Sequence, residues 1–237
     1  MTLGIMQPYF FPYLGYYSLI NCANYFILFD TPQYIRHGWV NRNRILSATE
    51  NPTYITVPIQ KTGQQTPINE IKIDNTQNWK KTIIGKLSFY KRISAPYYKD
   101  TICLVEDLLV HDYIKLSDLN AFTLKETCQY LGITTKIESF SSLNLTLDNI
   151  NEPDDWALQI TQQLKYDTYI NPPGGMSFFV PTKYRNNGIE LKFQEFIPTQ
   201  YAQHISHFEP NLSILDCLMF CRPCEILDML DNYRYLT

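Results

Sequence analysis

Apolar residues fill positions 3–7 and 25–30 almost without a break, and between them a short stretch, 16–23, carries apolar side chains at helical spacing. Runs of this length suit strands covered on both faces. A strand, a helix and a second strand in succession predict a compact βαβ unit. Its helical crossover returns the chain in the same direction, so the two strands pair in parallel. Residues 52–59, with Tyr54, Thr56 and Pro58 alternating against apolar neighbours, predict a third strand at a sheet edge, where proline is tolerated.

The middle of the chain is helical. Residues 76–92 keep a helical apolar spacing, and 100–131 predict two helices broken near Ser117, the second stopped by Gly132. Beyond them TTKIESFSSL reads as a strand, 154–164 as a helix capped by Asp154, and YDTYINPPGG as a strand entering a tight turn. GIELKFQEF alternates as a strand should, and the last helices begin at 213–220. Strand, helix and strand therefore recur at both ends. The fold class this predicts is α/β and Rossmann-like, a mostly parallel sheet flanked by helices, in one domain over 1–237 with a helical insert near 76–131.

Composition adds two points. With 18 Tyr and 13 Phe beside only 9 Gly, rings are expected in the core and in pocket walls. The 20 basic and 23 acidic residues leave a net charge of -3, which gives no overall attraction for nucleic acid or an anionic membrane. Any anionic ligand must then be held by a local cluster. No leader-like segment or long apolar run is seen, so a cytoplasmic protein with reduced cysteines is expected.

Candidate chemistry collects at strand ends, where open parallel sheets bind ligands. Gln7 ends the first strand and leads into PYFFPYLG; Gly15, at the start of a helix, would let an anion approach free N–H groups, with Tyr13 and Tyr16 beside it. After the second strand, DTPQYIRHGWVNRNRI concentrates Asp30, Gln33, His37, Trp39, Asn41, Arg42 and Asn43. Arginine forks suit phosphate, amides suit hydroxyls or a base edge, and the indole offers a flat face. NPPGG joins Asn171 to Gly174 and Gly175, two permissive residues beside a stiff turn. In PNLSILD, Ser213 with Asp216 makes a near capping box. His204 and His207 lack a third ligand, and Cys217, Cys221 and Cys224 fall in or beside an apolar helical run where cysteine acts as a small hydrophobe, so no metal site is expected.

Taken together and in order, MQPYFFPYLGYYSLI, FDTPQYIRHGWVNRNRI, YINPPGG and HFEPNLSILDCLMF resemble the WbqC-like protein family across nearly the whole chain. The resemblance singles out W-x-N-R-N at 39–43. It implies a place in bacterial surface-polysaccharide, or O-antigen and lipopolysaccharide, biosynthesis, with acylation or glycylation of an amino sugar. The strand, Phe-Pro-x-x-Gly-Tyr loop and short helix also resemble the HxGH nucleotidyltransferase arrangement, with Tyr13 and Tyr16 where histidines would stand. A phenol donates only a neutral hydrogen bond, which weakens the case for ATP cleavage. The function expected is an acyl- or aminoacyltransferase forming an amide on a nucleotide-linked amino sugar, with Asp30 as base and Arg42 and Asn43 as oxyanion donors. ATP with Mg2+, or an acyl-CoA, would activate the acyl group. The alternatives are a non-catalytic sugar-nucleotide binder and a nucleotidyltransferase-like, ATP-using enzyme.

Overall fold

The computed structural model describes residues 1–49 and 51–236; Glu50 and Thr237, inside the expected 1–237 domain, lie outside the described residues. β1 (Thr2–Met6), α1 (Leu14–Asn21) and β2 (Tyr25–Leu28) form the first βαβ unit, its strands parallel with Gly4 opposite Phe26. A Cβ on Gly4 would meet the Phe26 ring at 2.7 Å, so glycine permits this close register.

β3 (Arg42–Ile45) and β4 (Thr53–Thr56) follow as a separate antiparallel hairpin. This corrects the expectation for 52–59, which does not extend the main sheet. The short connection from β3 can join only an antiparallel neighbour. Within VNRNRI the polar residues lie in and beside a strand: Asn41, Asn43 and Ile45 are buried and Arg42 and Arg44 half-exposed, the two-residue alternation of a pleated strand.

Three helices come next, α2 (Trp79–Arg92), α3 (Tyr98–Leu109) and α4 (Leu116–Leu131). The break falls at 110–115, so Ser117 sits in the first turn of α4, and Gly132 ends that helix in the left-handed region at φ 83°. β5 (Lys136–Ser139), α5 (Asp155–Gln163), β6 (Thr168–Asn171), α6 (Pro181–Asn186) and β7 (Glu190–Phe196) carry the second half of the sheet. α7 (Ile214–Phe220), α8 (Pro223–Met229) and β8 (Tyr233–Leu236) complete the chain. Asp154 stands at the N-cap of α5 but does not cap it. Its carboxylate accepts from Lys183 Nζ at 2.6 Å and from the Val180 N–H at 3.2 Å, while Asp155 takes the N–H groups of Asn151 and Glu152.

The main sheet runs β5-β2-β1-β6-β7-β8, parallel except for β8. Its five parallel strands, numbered along the chain, stand in the order 3-2-1-4-5 of a Rossmann-like fold. Alternation along the strands separates two cores. Leu3, Ile5, Tyr25 and Ile27 pack with Ala157, Leu158 and Ile160 of α5, whereas Phe26 and Leu28 join the larger core built on α1, α2, α3, α4 and α7. Among the described residues, no helix is long and apolar enough to cross a membrane.

Candidate functional site

The connections from β1 and β6 leave in opposite directions, and the crevice between such strands is where an open α/β sheet binds its ligand. A cavity of about 800 Å³ opens there. Met6 and Gln7 at the end of β1 and Asn171 at the end of β6 form its floor, with Tyr9, Tyr13, Trp39, Trp156 and Tyr169 as ring walls. Asn43, Arg44 and Asn211 enter from the side, and the 172–175 turn with Phe178 and Phe179 closes the opposite wall.

The aromatic loop after β1 is braced by side chains far away in sequence. Asn43 Nδ2 donates to the Phe10 and Phe11 carbonyls at 3.2 and 2.8 Å, and its Oδ1 accepts the Arg44 N–H. Ser213 Oγ donates to the same Phe11 carbonyl at 2.8 Å and caps α7 by accepting the Leu215 N–H. Asn120 on α4 donates to the carbonyls of Pro8 and Val40, and the Phe10 N–H donates to the carbonyl of Trp39. Phe11 holds a left-handed φ of 39°, an uncommon conformation for this residue type that these bonds hold in place. Tyr16, fully buried, donates to the Gln7 carbonyl at 2.8 Å and so supports the floor from beneath.

The expected site residues therefore divide. Gln7, Tyr13, Trp39, Asn43, Asn171, Gly174 and Gly175 line the cavity, and Gly15 lines a smaller compartment beside it. A Cβ on Gly15 would run into the Tyr13 ring, and one on Gly175 into the Asn171 amide, so these glycines permit close packing of neighbouring side chains. Tyr16, Asn43 and Ser213 serve the loop backbone. Asn41 donates to the Val57 carbonyl at 3.0 Å and ties the hairpin, and Gln33 donates to the Gln64 carbonyl. His37 is exposed with φ 65°; its carbonyl accepts from Arg42, whose guanidinium lies 4.4 Å over the Tyr54 ring. Neither His37 nor Arg42 lines the cavity.

Asp30 is also elsewhere. Its carboxylate, 2% exposed, accepts from the Ser141 N–H at 3.0 Å and the Ser141 hydroxyl at 2.6 Å, joining β2 to the segment after β5. It borders a separate polar cleft with Lys115 and Lys125 and does not face the switch point. The cavity's arginine is Arg44, whose buried Nε has no partner among the described residues and whose terminal nitrogen pairs loosely with Glu209 at 3.5 Å. Period-two alternation in RNRI pairs Arg44 with Arg42 on one strand face; only the tertiary fold says which of them meets the cavity.

Asp216, read as a near capping partner, lies at the centre of a buried network. It accepts from Tyr90 and Tyr201 hydroxyls at 2.6 Å each and from Gln203 Nε2 at 2.8 Å. Burial raises its carboxyl to about 6, against the opposing pull of the three donors. The network fastens the segment leading to Asn211 and Ser213. Burial likewise raises the Tyr9 and Tyr13 phenols, which keeps these cavity walls neutral.

Fold and site together define an α/β protein with a ring-lined, amide-bearing cavity at the topological switch point. The chain belongs to the WbqC-like protein family, whose model matches residues 7–227. It is 29% identical over 218 residues to the uncharacterized protein Rv1507c of Mycobacterium tuberculosis (strain ATCC 25618 / H37Rv), a match covering 91% of this chain and 92% of that one. No solved structure matches the chain.

Proposed function

We propose that this chain is a cytoplasmic protein of bacterial surface-polysaccharide biosynthesis that binds a nucleotide-linked amino sugar in the switch-point cavity, within one domain over 1–237 whose helical subdomain lies near 76–131. The observation that carries the reading is the composition of the cavity wall: planar rings, the amides of Gln7, Asn171 and Asn211, and one arginine, Arg44. Rings stack on a base or a sugar face, amides satisfy hydroxyls from both sides, and the arginine meets phosphate. The loose Glu209 pair, half-exposed and worth about 0–1 kcal/mol, gives way readily to a phosphate.

Transfer of an acyl or aminoacyl group to the bound amine is the reaction this reading assigns. The exposed apolar rim favours it: Ile35 and Phe178, 61% and 59% exposed, offer a surface to an acyl donor at the cavity mouth. With an acyl thioester such as acyl-CoA, the amine attacks the carbonyl carbon, the C–S bond breaks, and the amine proton leaves with the thiolate. Among the described residues the cavity lining holds no carboxylate or histidine, so the chain contributes position and hydrogen-bond donors, with Arg44 and Asn171 nearest to hand. ATP cleavage is less well supported, because the Tyr16 hydroxyl is already engaged with the Gln7 carbonyl and a phenol supplies no charge.

Trp39 and Trp156 face the cavity, which makes intrinsic fluorescence a direct probe. Titration with UDP- and dTDP-linked amino sugars is expected to give a saturable change, smaller in Trp156→Phe. Mass spectrometry of the same mixture with acetyl-CoA is expected to show the N-acylated sugar nucleotide. A flat titration with all these ligands would overturn the binding reading; saturation without product would leave a sugar-nucleotide binder.

A further inference from the structure

The β3–β4 hairpin presents an outer face that the cavity does not use. Arg44 stands opposite Tyr54 and Arg42 opposite Thr56, with the alternate residues Asn43 and Ile55 buried beneath them. The Arg42 guanidinium lies 4.4 Å over the Tyr54 ring, and the Trp39 ring stands 6.4 Å from that of Tyr54 at 32°. Trp39 and Tyr54 are 38% and 37% exposed, so both rings meet solvent. Trp39 also lines the cavity, which makes this face continuous with the cavity mouth.

Positive charge gathers on the same segment. Residues 31–69 hold Arg36, Arg42, Arg44 and Lys61 against one acidic residue, Glu50, in a chain whose net charge is -3. Among the described residues none of Arg36, Arg42 and Lys61 pairs with a carboxylate, and Arg44 has only its loose pair with Glu209. Lys86 on α2 donates to the Tyr54 carbonyl and adds a further cation beside the ring. A merely solvated basic face needs no rings. One that joins exposed rings to arginines without acidic partners is matched by a ligand that is flat in one part and anionic in another, as a nucleotide is.

We propose that this face holds the adenine-nucleotide end of a coenzyme A-type acyl donor, its base against Trp39 and Tyr54 and its phosphates on Arg42 and the cations around it. The pantetheine arm then runs past Ile35, at the exposed rim, into the cavity. The inference rests on the acyl-transfer reading and adds to it the donor's carrier, with a site separate from that of the acceptor. The two arginines of one strand face divide the work: Arg44 meets the sugar nucleotide and Arg42 the donor.

The test uses the full chain and calorimetry with coenzyme A, with pantetheine, which lacks the nucleotide, and with ATP, which lacks the pantetheine arm. Coenzyme A is expected to bind saturably, and pantetheine and ATP each at least about tenfold more weakly, the scale of one stacked base or one phosphate contact. Arg42→Ala and Tyr54→Ala are each expected to weaken coenzyme A about tenfold, with thermal midpoints measured as controls for folding, and to change the binding of a UDP- or dTDP-linked amino sugar less than about twofold. Coenzyme A is also expected to bind the chain already saturated with that sugar nucleotide. Pantetheine binding as tightly as coenzyme A, or competition between coenzyme A and the sugar nucleotide, would overturn the inference, and tighter binding of ATP would overturn the choice of donor. No binding of coenzyme A by a chain that still binds the sugar nucleotide would overturn the inference alone. Failure of both ligands would overturn the nucleotide-sugar reading, and the inference with it.

Discussion

The two loops that meet at the switch point are held in opposite ways. The loop after β1 has buried rings, Phe10 and Phe11, and its carbonyls are tied down by Asn43, Asn120 and Ser213 from three distant parts of the chain. The segment after β6 leaves Phe178 and Val180 more than half exposed and is anchored at its far end, where Asp154 holds Lys183 and the Val180 N–H. One wall is built into the core and the other rests on the surface. Polar residues around a cavity can thus serve it indirectly, by fixing the backbone that shapes it.

Substitutions should separate the two walls. Asn43→Leu orphans the Phe10 carbonyl and leaves the Phe11 carbonyl to Ser213 alone, and with two buried bonds lost the expected destabilisation is about 2–4 kcal/mol, measured by urea unfolding. A cost under about 0.5 kcal/mol would mean that the loop stands without its brace.

The Asp216 network predicts a pH dependence of unusual sign. Its carboxyl is raised by burial to about 6 from an ordinary value of 3.8, so the folded state binds the proton more tightly than the unfolded chain. The stability it contributes is complete below the unfolded value and is lost as pH rises through about 6, a change of about 3 kcal/mol. The difference in unfolding free energy between the unaltered chain and Asp216→Asn should follow that curve between pH 4 and 7. Asp155, lowered to about 2 chiefly by its hydrogen bond from Lys183, behaves oppositely, its contribution fading as pH falls toward 2.

Smaller effects are expected on the other wall. Gly175→Ala places a methyl against the Asn171 amide and should cost about 1–3 kcal/mol in stability, with weaker ligand binding as Asn171 is displaced. Phe178→Ala should change stability by no more than about 0.5 kcal/mol while weakening the fluorescence response to ligand. A large stability loss from Phe178→Ala would erase the contrast between the walls.

Much of the sheet was legible in local pattern. The apolar runs of β1 and β2, the helical crossover and the stop at Gly132 all follow from periodicity and turn chemistry. The hairpin was not, because NRNRI looks like a polar loop unless its two-residue alternation is weighed against its charge. For the cavity, sequence reasoning pointed to segments that line it, with Trp39, Asn171 and Gly175 among the lining residues, since strand ends in a parallel sheet converge on one edge. It could not tell which polar heads line the cavity. Asn43 meets a carbonyl 32 residues away, and Asp30 meets Ser141 across 111 residues, distances over which no local pattern carries information. Arg42 and Arg44 share a strand face, and only the tertiary fold shows that Arg44 is the one lining the cavity.

The most direct test is calorimetric titration of a UDP- or dTDP-linked amino sugar into the unaltered chain, Arg44→Ala and Arg42→Ala. Saturable binding, weakened at least about tenfold by Arg44→Ala and changed less than about twofold by Arg42→Ala, is the predicted result. Binding that depends on Arg42 and ignores Arg44, or no binding at all, would contradict a nucleotide-sugar site at the switch point.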